Sequence, residues 1–116
     1  MKILIINGAN LNLLGRRQPE IYGHESFEDY LEALRARYSG HTLDYYQSNV
    51  EGELVSKLQE ADGVYDGVVL NAGGYTHTSV VLHDAVAAVS VPVVEVQLSS
   101  ILSREEFRHV SMIAPK

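Results

Sequence analysis

The chain has 116 residues, a length that suits one folded domain with a modest hydrophobic core. Its hydrophobic share of 46% is ordinary for a globular protein, and its net charge of −6 argues against non-specific binding to nucleic acid or anionic membranes. There is no cysteine, which excludes a disulfide framework and thiolate chemistry. No segment has the pattern of a signal peptide or membrane-spanning helix, so we expect a single cytoplasmic domain over residues 1–116.

The first half of the chain alternates between strand and helix patterns. A continuous β-branched run ends at Asn7 and opens a polar loop that continues to Gly23. After this loop, Ser26 has the side chain and the position of a helix N-cap. The predicted elements are, in order, a buried strand over 2–6, a helix over 25–38, a strand over 42–47 and a short helix over 51–61.

The second half repeats this alternation with more apolar segments. It predicts a buried strand over 67–70, a helix rich in Ala, Val and Leu over 79–89, and a last strand over 91–96. The strands are continuously apolar rather than alternating, which indicates a parallel sheet covered by helices on both faces. In open sheets of this kind, ligands bind beyond the carboxyl ends of the strands.

Those strand ends carry the polar residues that suggest a site. Three separate loops bring together amides, hydroxyls, arginines, a tyrosine and a histidine, which would suit a small, oxygen-rich anion. No metal-ligand spacing and no dinucleotide or phosphate-loop motif is present. The residues concerned are Asn7, Gly8, Asn10, Arg16, Arg17 and Tyr22 after the first strand, Asn71, Gly73, Gly74 and His77 after the third, and Gln97, Ser99, Arg104 and Arg108 after the fourth.

Each of these residues also has a structural interpretation. Asn7-Gly8 could form only a turn, and Gly73-Gly74 could be a turn or a backbone nest for an anion. His77 could be a neutral structural imidazole at the start of a helix. Tyr22 could simply pack, and the arginines could be ordinary solvated charges.

Several long motifs, in order, give the chain a specific resemblance. They are INGANLNLLGRR at 6–17, PEIYG at 19–23, QSNVEGE at 47–53, NAGGYTHTS at 71–79 and REEFRH at 104–109. The chain resembles type II 3-dehydroquinate dehydratase, a flavodoxin-like enzyme of the shikimate and quinate pathways. The resemblance implies a three-layer α/β/α fold with four parallel strands in the order 2-1-3-4, a cytoplasmic homo-oligomer (trimer or dodecamer), and no cofactor.

The resemblance also implies a role for individual residues. Tyr22 would be the base that removes a proton beside the ketone of 3-dehydroquinate, with Arg17 favouring its phenolate form because a phenol otherwise titrates near pH 10. Asn10 would help to hold a water at the enolate oxygen. The residues implied in substrate binding are Asn71, Gly73, Gly74, His77, Leu98, Ser99 and Arg108, and Asp84 would reach a neighbouring subunit's site.

The sequence departs from the family pattern at three points. Gln97 stands where the family has its general-acid histidine, and an amide can hydrogen-bond a leaving hydroxyl but cannot protonate it. Glu95 would lie on the same strand face, where it could orient an imidazole at position 97. Ser100 replaces an asparagine. Family members continue beyond the position of Lys116 through a fifth strand and a helix, so we expect the fourth strand to be an exposed edge.

Two functions follow from this comparison. The first is dehydration of 3-dehydroquinate to 3-dehydroshikimate by anti elimination through an enolate, with activity weakened at Gln97. The alternative is a non-catalytic protein that binds dehydroquinate or a related cyclic polyol acid. In both, the partner is a small-molecule substrate and neither nucleic acid nor membrane is involved.

Overall fold

The architecture is a four-stranded parallel sheet flanked by helices, seen in a computed structural model that describes residues 1–14 and 26–97. The strands are β1 (Lys2–Asn7), β2 (Thr42–Gln47), β3 (Gly67–Asn71) and β4 (Val93–Glu95). They lie in the order β2-β1-β3-β4, and every neighbouring pair is parallel. This confirms the flavodoxin-like arrangement that the sequence predicts, in which crossover helices connect parallel strands.

Within residues 1–14 and 26–97, three α-helices lie in these crossovers. They are α1 (Phe27–Arg37), α2 (Glu51–Ala61) and α3 (Val80–Ala88). The Ser26 side chain accepts a hydrogen bond from the Asp29 amide, which confirms the predicted N-cap of α1. Ser79 caps α3 in the same way by accepting a hydrogen bond from the Leu82 amide.

The main core lies between the sheet and the α2–α3 layer. Leu4 and Ile6 of β1 and Leu70 of β3 pack here against Leu54 and Leu58 of α2, and all five are almost fully buried. These strand residues alternate with residues that face α1, because successive side chains of a strand point to opposite faces. The α2–α3 face therefore holds most of the apolar packing among the described residues.

The face that carries α1 is more open. A cleft of about 400 Å³ lies between α1 and the sheet, with Ile3, Ile5 and Val69 on the sheet side and Phe27 and Leu34 on the helix side. Toward β4, the side chain of Val94 is 59% exposed. Helices lie on both faces of the sheet, as the sequence predicts, with α2 and α3 on one face and α1 on the other.

The predicted boundaries differ from the observed ones at a few places. The last strand is Val93–Glu95 rather than 91–96, because Pro92 has no N–H for the ladder and contributes only its carbonyl, which accepts from the Val68 amide. The loops after β1 and β3 contain short 3-10 helices at Leu11–Leu13 and Gly73–Thr76, which the sequence analysis treated as irregular loop.

Candidate active site

The loops after β1 and β3 are in direct backbone contact. The Gly8 amide donates to the Asn71 carbonyl at 2.7 Å, and a Cβ at Gly8 would lie only 2.4 Å from the Ala72 carbonyl oxygen. Gly73 mirrors this arrangement, since its φ is 63° and a Cβ there would lie 2.7 Å from the Ala9 carbonyl oxygen. Glycine at both positions lets the two loops meet without intervening side chains.

Asn71 organises the turn that follows β3. Its side chain is buried, and its Oδ1 accepts a hydrogen bond from the Gly73 amide at 3.1 Å. The amide of Gly73 is thereby used inside the loop, so Gly73 acts here as a turn residue rather than as a free donor to an anion. Among the described residues, the Asn71 side chain is hydrogen-bonded at Oδ1, and Nδ2 is the group through which Asn71 could donate to a ligand.

Asn10 is held by the loop that follows β2. Its backbone adopts the left-handed conformation with a φ of 68°, and its amide donates to Asn49 Oδ1 at 2.9 Å. The same Oδ1 accepts from Gln47 Nε2 at 3.2 Å, and the Asn49 carbonyl accepts from the Tyr75 hydroxyl at 2.8 Å. Three loops that are distant in sequence are thus joined at the carboxyl edge of the sheet.

His77 precedes the start of α3 in the sequence, and Asp84 lies within the helix. His77 is 7% exposed, and its amide donates to the Gly74 carbonyl at 3.1 Å at the end of the short 3-10 helix. The imidazole is therefore buried two residues before the Ser79 cap, in the segment that follows β3. Asp84 is exposed on α3, where a neighbouring molecule could reach it.

Glu95 and Gln97 form a hydrogen-bonded pair at the end of β4. Gln97 Nε2 donates to Glu95 Oε1 at 2.9 Å. Because an ionised carboxylate only accepts hydrogen bonds, this contact orients the amide nitrogen of Gln97 toward Glu95. The pair shows that the two side chains meet across the intervening Val96, as the alternation along a strand predicts.

The cleft under α1 opens toward these strand ends. Its polar end is formed by Asn7, Asn71 and Gln97, whereas its remaining walls are aliphatic and aromatic. Tyr45 stands near this end with its hydroxyl accepting from Asn7 Nδ2 at 3.4 Å, and burial raises the pKa of its phenol. An oxygen-rich anion would suit the amide-lined end, while the apolar walls would leave its hydroxyls without partners.

Comparison with known proteins identifies the family. The chain matches the family Dehydroquinase class II over residues 1–116. It is 51% identical to the 3-dehydroquinate dehydratase of Prochlorococcus marinus over 118 residues and 53% identical to that of Rhizobium etli over 116 residues. These alignments span 100% and 97% of this chain, and 81% and 79% of the relatives.

The crystal structure of the type II dehydroquinase from Butyrivibrio crossotus superposes with a TM-score of 0.90. It is 47% identical in sequence, and the match covers 99% of this chain and 82% of that one. This chain belongs to the class II dehydroquinases. The family carries out a hydro-lyase reaction, and the fold observed for residues 1–14 and 26–97 is the fold of these enzymes.

Some predicted residues of this dehydroquinase fall outside the part of the chain that the structure describes. They are Arg16, Arg17, Tyr22, Leu98, Ser99, Arg104 and Arg108. Of the predicted residues that are described, the structure brings Asn10, Asn71 and Gln97 to one edge of the sheet. Within residues 1–14 and 26–97, no helix is long and apolar enough to cross a membrane, and no cluster of acidic and histidine side chains could hold a metal ion.

Three residues that support the loop carrying Asn10 have no predicted role in the sequence. The motif at 47–53 is part of the resemblance, yet none of its residues receives a role there. Gln47, Ser48 and Asn49 turn out to connect the β2 end to the loop that carries Asn10. The available signal was their position, because these three consecutive polar residues begin with the last residue of β2 and continue into the loop that follows it.

Proposed function

We propose that this chain catalyses the dehydration of 3-dehydroquinate to 3-dehydroshikimate, at a rate limited by Gln97. The proposal is supported by its family membership together with Asn10, Asn71 and the Glu95–Gln97 pair at the strand ends, and with the buried His77 in the segment after β3. Two relatives that are 51% and 53% identical in sequence bear the name 3-dehydroquinate dehydratase. The substrate is a cyclic polyol acid, and amide and imidazole donors suit its hydroxyl and carboxylate oxygens.

The proposed reaction has two halves. In the first, the phenolate of Tyr22, favoured by the Arg17 guanidinium, removes a proton from the carbon beside the ketone. The electron pair moves to the ketone oxygen, and the enolate is stabilised by a water held at Asn10. Binding is assigned to Asn71, Gly74, His77, Leu98, Ser99 and Arg108, with Gly73 shaping the loop and Asp84 turned toward a neighbouring subunit.

The second half is the expulsion of the hydroxyl group. The enolate reforms the ketone, the new carbon–carbon double bond forms, and the C–O bond breaks. Because the neutral Gln97 amide cannot donate a proton, the oxygen leaves as hydroxide and takes its proton from water. Gln97 can donate a hydrogen bond but remains tied to Glu95 through Nε2. Loss of a general acid typically lowers a rate by about 10²–10⁴.

The test compares the wild type with Gln97→His, which restores a titratable donor beside Glu95. Elimination is followed by the ultraviolet absorbance of the enone, and the enolate half by incorporation of solvent deuterium into dehydroquinate. We expect the wild type to exchange the ring hydrogen faster than it expels water, and Gln97→His to raise kcat by about 10²-fold or more. Gln59→His, which adds an imidazole on exposed α2, serves as the matched control.

The outcomes separate the candidate functions. A wild type that eliminates water as fast as Gln97→His would show that Gln97 does not limit the reaction and that another group supplies the proton. Binding of dehydroquinate without exchange or turnover in either protein would favour the non-catalytic binding protein. The strand-end amides would serve such a protein as well, which is why deuterium exchange rather than affinity decides.

The proposal includes the assembly and the compartment of the enzyme. A homo-oligomer is supported by the surface of α3, where Val80 and Val81 are 58% and 55% exposed and lie one helical turn from Asp84. By resemblance the assembly is a trimer or dodecamer, with Asp84 near a neighbour's His77, in the cytoplasm. Light scattering that returned a monomer mass at all concentrations would refute the assembly.

A further inference from the structure

The side chain of Asn49 is a hydrogen-bonding centre for the strand-end loops. Its Oδ1 accepts from the Asn10 amide at 2.9 Å and from Gln47 Nε2 at 3.2 Å. Gln47 Nε2 also donates to the Gly8 carbonyl oxygen at 3.2 Å. On its other side, Asn49 receives the Tyr75 hydroxyl at its carbonyl oxygen, at 2.8 Å. One residue thereby ties the loop after β2 to the loops after β1 and β3.

Asn49 is itself held in place. The Ser48 side chain is buried, accepts from the Val50 amide at 2.9 Å, and donates to the Glu53 carboxylate. The Ser48 amide donates to the Asn7 carbonyl at 3.1 Å. These bonds fix the backbone of the turn between β2 and α2, and the exposed Asn49 side chain is held there by its own bonds to the Asn10 amide and Gln47 Nε2.

Asn10 has an unusual backbone conformation that its hydrogen bonds hold in place. Its φ of 68° lies in the left-handed region, which asparagine enters more readily than other L-residues except glycine. The carbonyl of Asn10 accepts from the Leu13 amide at 3.0 Å, while its amide is held by Asn49. The two bonds fix the Asn10 backbone from both sides and therefore decide where its side chain points.

We infer that Asn49 is a positioning residue for the enolate half of the reaction, acting through the backbone amide of Asn10. The inference rests on the proposed function, in which Asn10 holds the water at the enolate oxygen. Misplacement of a catalytic group by about 1 Å can cost about 10²-fold in rate. Loss of the Asn49 acceptor should accordingly slow proton exchange without changing how tightly the substrate binds.

The experiment is a double-mutant cycle read by solvent-deuterium incorporation. Asn49→Ala removes the side-chain acceptor but keeps the carbonyl that receives Tyr75. Asn10→Gly removes the Asn10 side chain and tolerates its positive φ. Asn12→Ala, at an exposed position of the same loop, is the matched control. Thermal unfolding of each variant shows that it is folded at the assay temperature.

We expect Asn49→Ala to lower the exchange rate at saturating dehydroquinate by about 10²-fold with an unchanged KM, and Asn12→Ala to leave it unchanged. The double variant should exchange no more slowly than Asn10→Gly alone, because both changes remove the same function. An Asn49→Ala variant that matches the wild type, or effects that multiply in the double variant, would overturn the inference alone. A wild type without exchange or turnover would overturn the proposed function, and the inference with it.

Discussion

Replacing Gly8 with alanine tests whether the contact between the loops after β1 and β3 contributes both to the stability of the fold and to catalysis. An added Cβ would lie 2.4 Å from the Ala72 carbonyl oxygen and 2.7 Å from its carbonyl carbon. Real Cβ atoms essentially never approach closer than 3.0 Å, so the two backbones must separate by at least about 0.6 Å. Both neighbours are backbone atoms, which cannot rotate away as a flexible side chain could.

The expected cost combines two effects. Overpacking at a closely packed site typically costs about 1–3 kcal/mol. The same separation lengthens the 2.7 Å hydrogen bond from the Gly8 amide to the Asn71 carbonyl, and a weakened hydrogen bond costs about 1 kcal/mol more. We therefore expect Gly8→Ala to lower the free energy of unfolding by about 2–4 kcal/mol. Asn10 follows two residues later, so kcat should also fall, by about tenfold.

Urea denaturation measures the stability change, and the ultraviolet enone assay measures kcat. Gly52→Ala is the matched control, because a Cβ within α2 at Gly52 meets no atom within 4 Å. That change should stabilise the protein by about 0.4–1 kcal/mol by restricting the unfolded chain. The reasoning fails if Gly8→Ala unfolds at the same urea concentration as the wild type or at a higher one.

Two further predictions concern the core and the response to pH. Leu58 is fully buried between α2 and the sheet, so Leu58→Ala should lower the free energy of unfolding by about 2–5 kcal/mol in urea denaturation, and a loss below 1 kcal/mol would contradict this packing. The Tyr65 hydroxyl donates to Asp44 Oδ2 at 2.6 Å, and this bond raises the pKa of Tyr65 above its ordinary value of 10.0. The folded state thus holds the Tyr65 proton more tightly than the unfolded state. The stabilisation that this bond gives the folded state is therefore complete below pH 10 and is lost as the pH rises above 10. Stability should decline more steeply above pH 10 in the wild type than in Tyr65→Phe, and parallel curves would refute the assignment.

Much of the fold follows from local patterns in the sequence. The β-branched run before Asn7 and the serine before α1 predict a strand and an N-cap from their own side chains, and the structure confirms both. The relation of Glu95 to Gln97 is equally local, because residues two apart on a strand share a face. The last strand was predicted too long because the apolar pattern over 91–96 does not reveal how much of it pairs with β3.

The contacts that shape the site depend instead on tertiary structure. Gly8 meets Ala72, and Asn10 meets Asn49, only because β1 lies between β2 and β3 in a fixed register. The sequence places amides and glycines at the strand ends but gives no distance between loops separated by about 40 or 60 residues. For the same reason Gly73 could be interpreted as an anion-binding nest until the Asn71 side chain was seen to occupy its amide. Secondary structure is set by short-range backbone geometry, whereas the partners of each polar group are set by the strand order and register of the sheet.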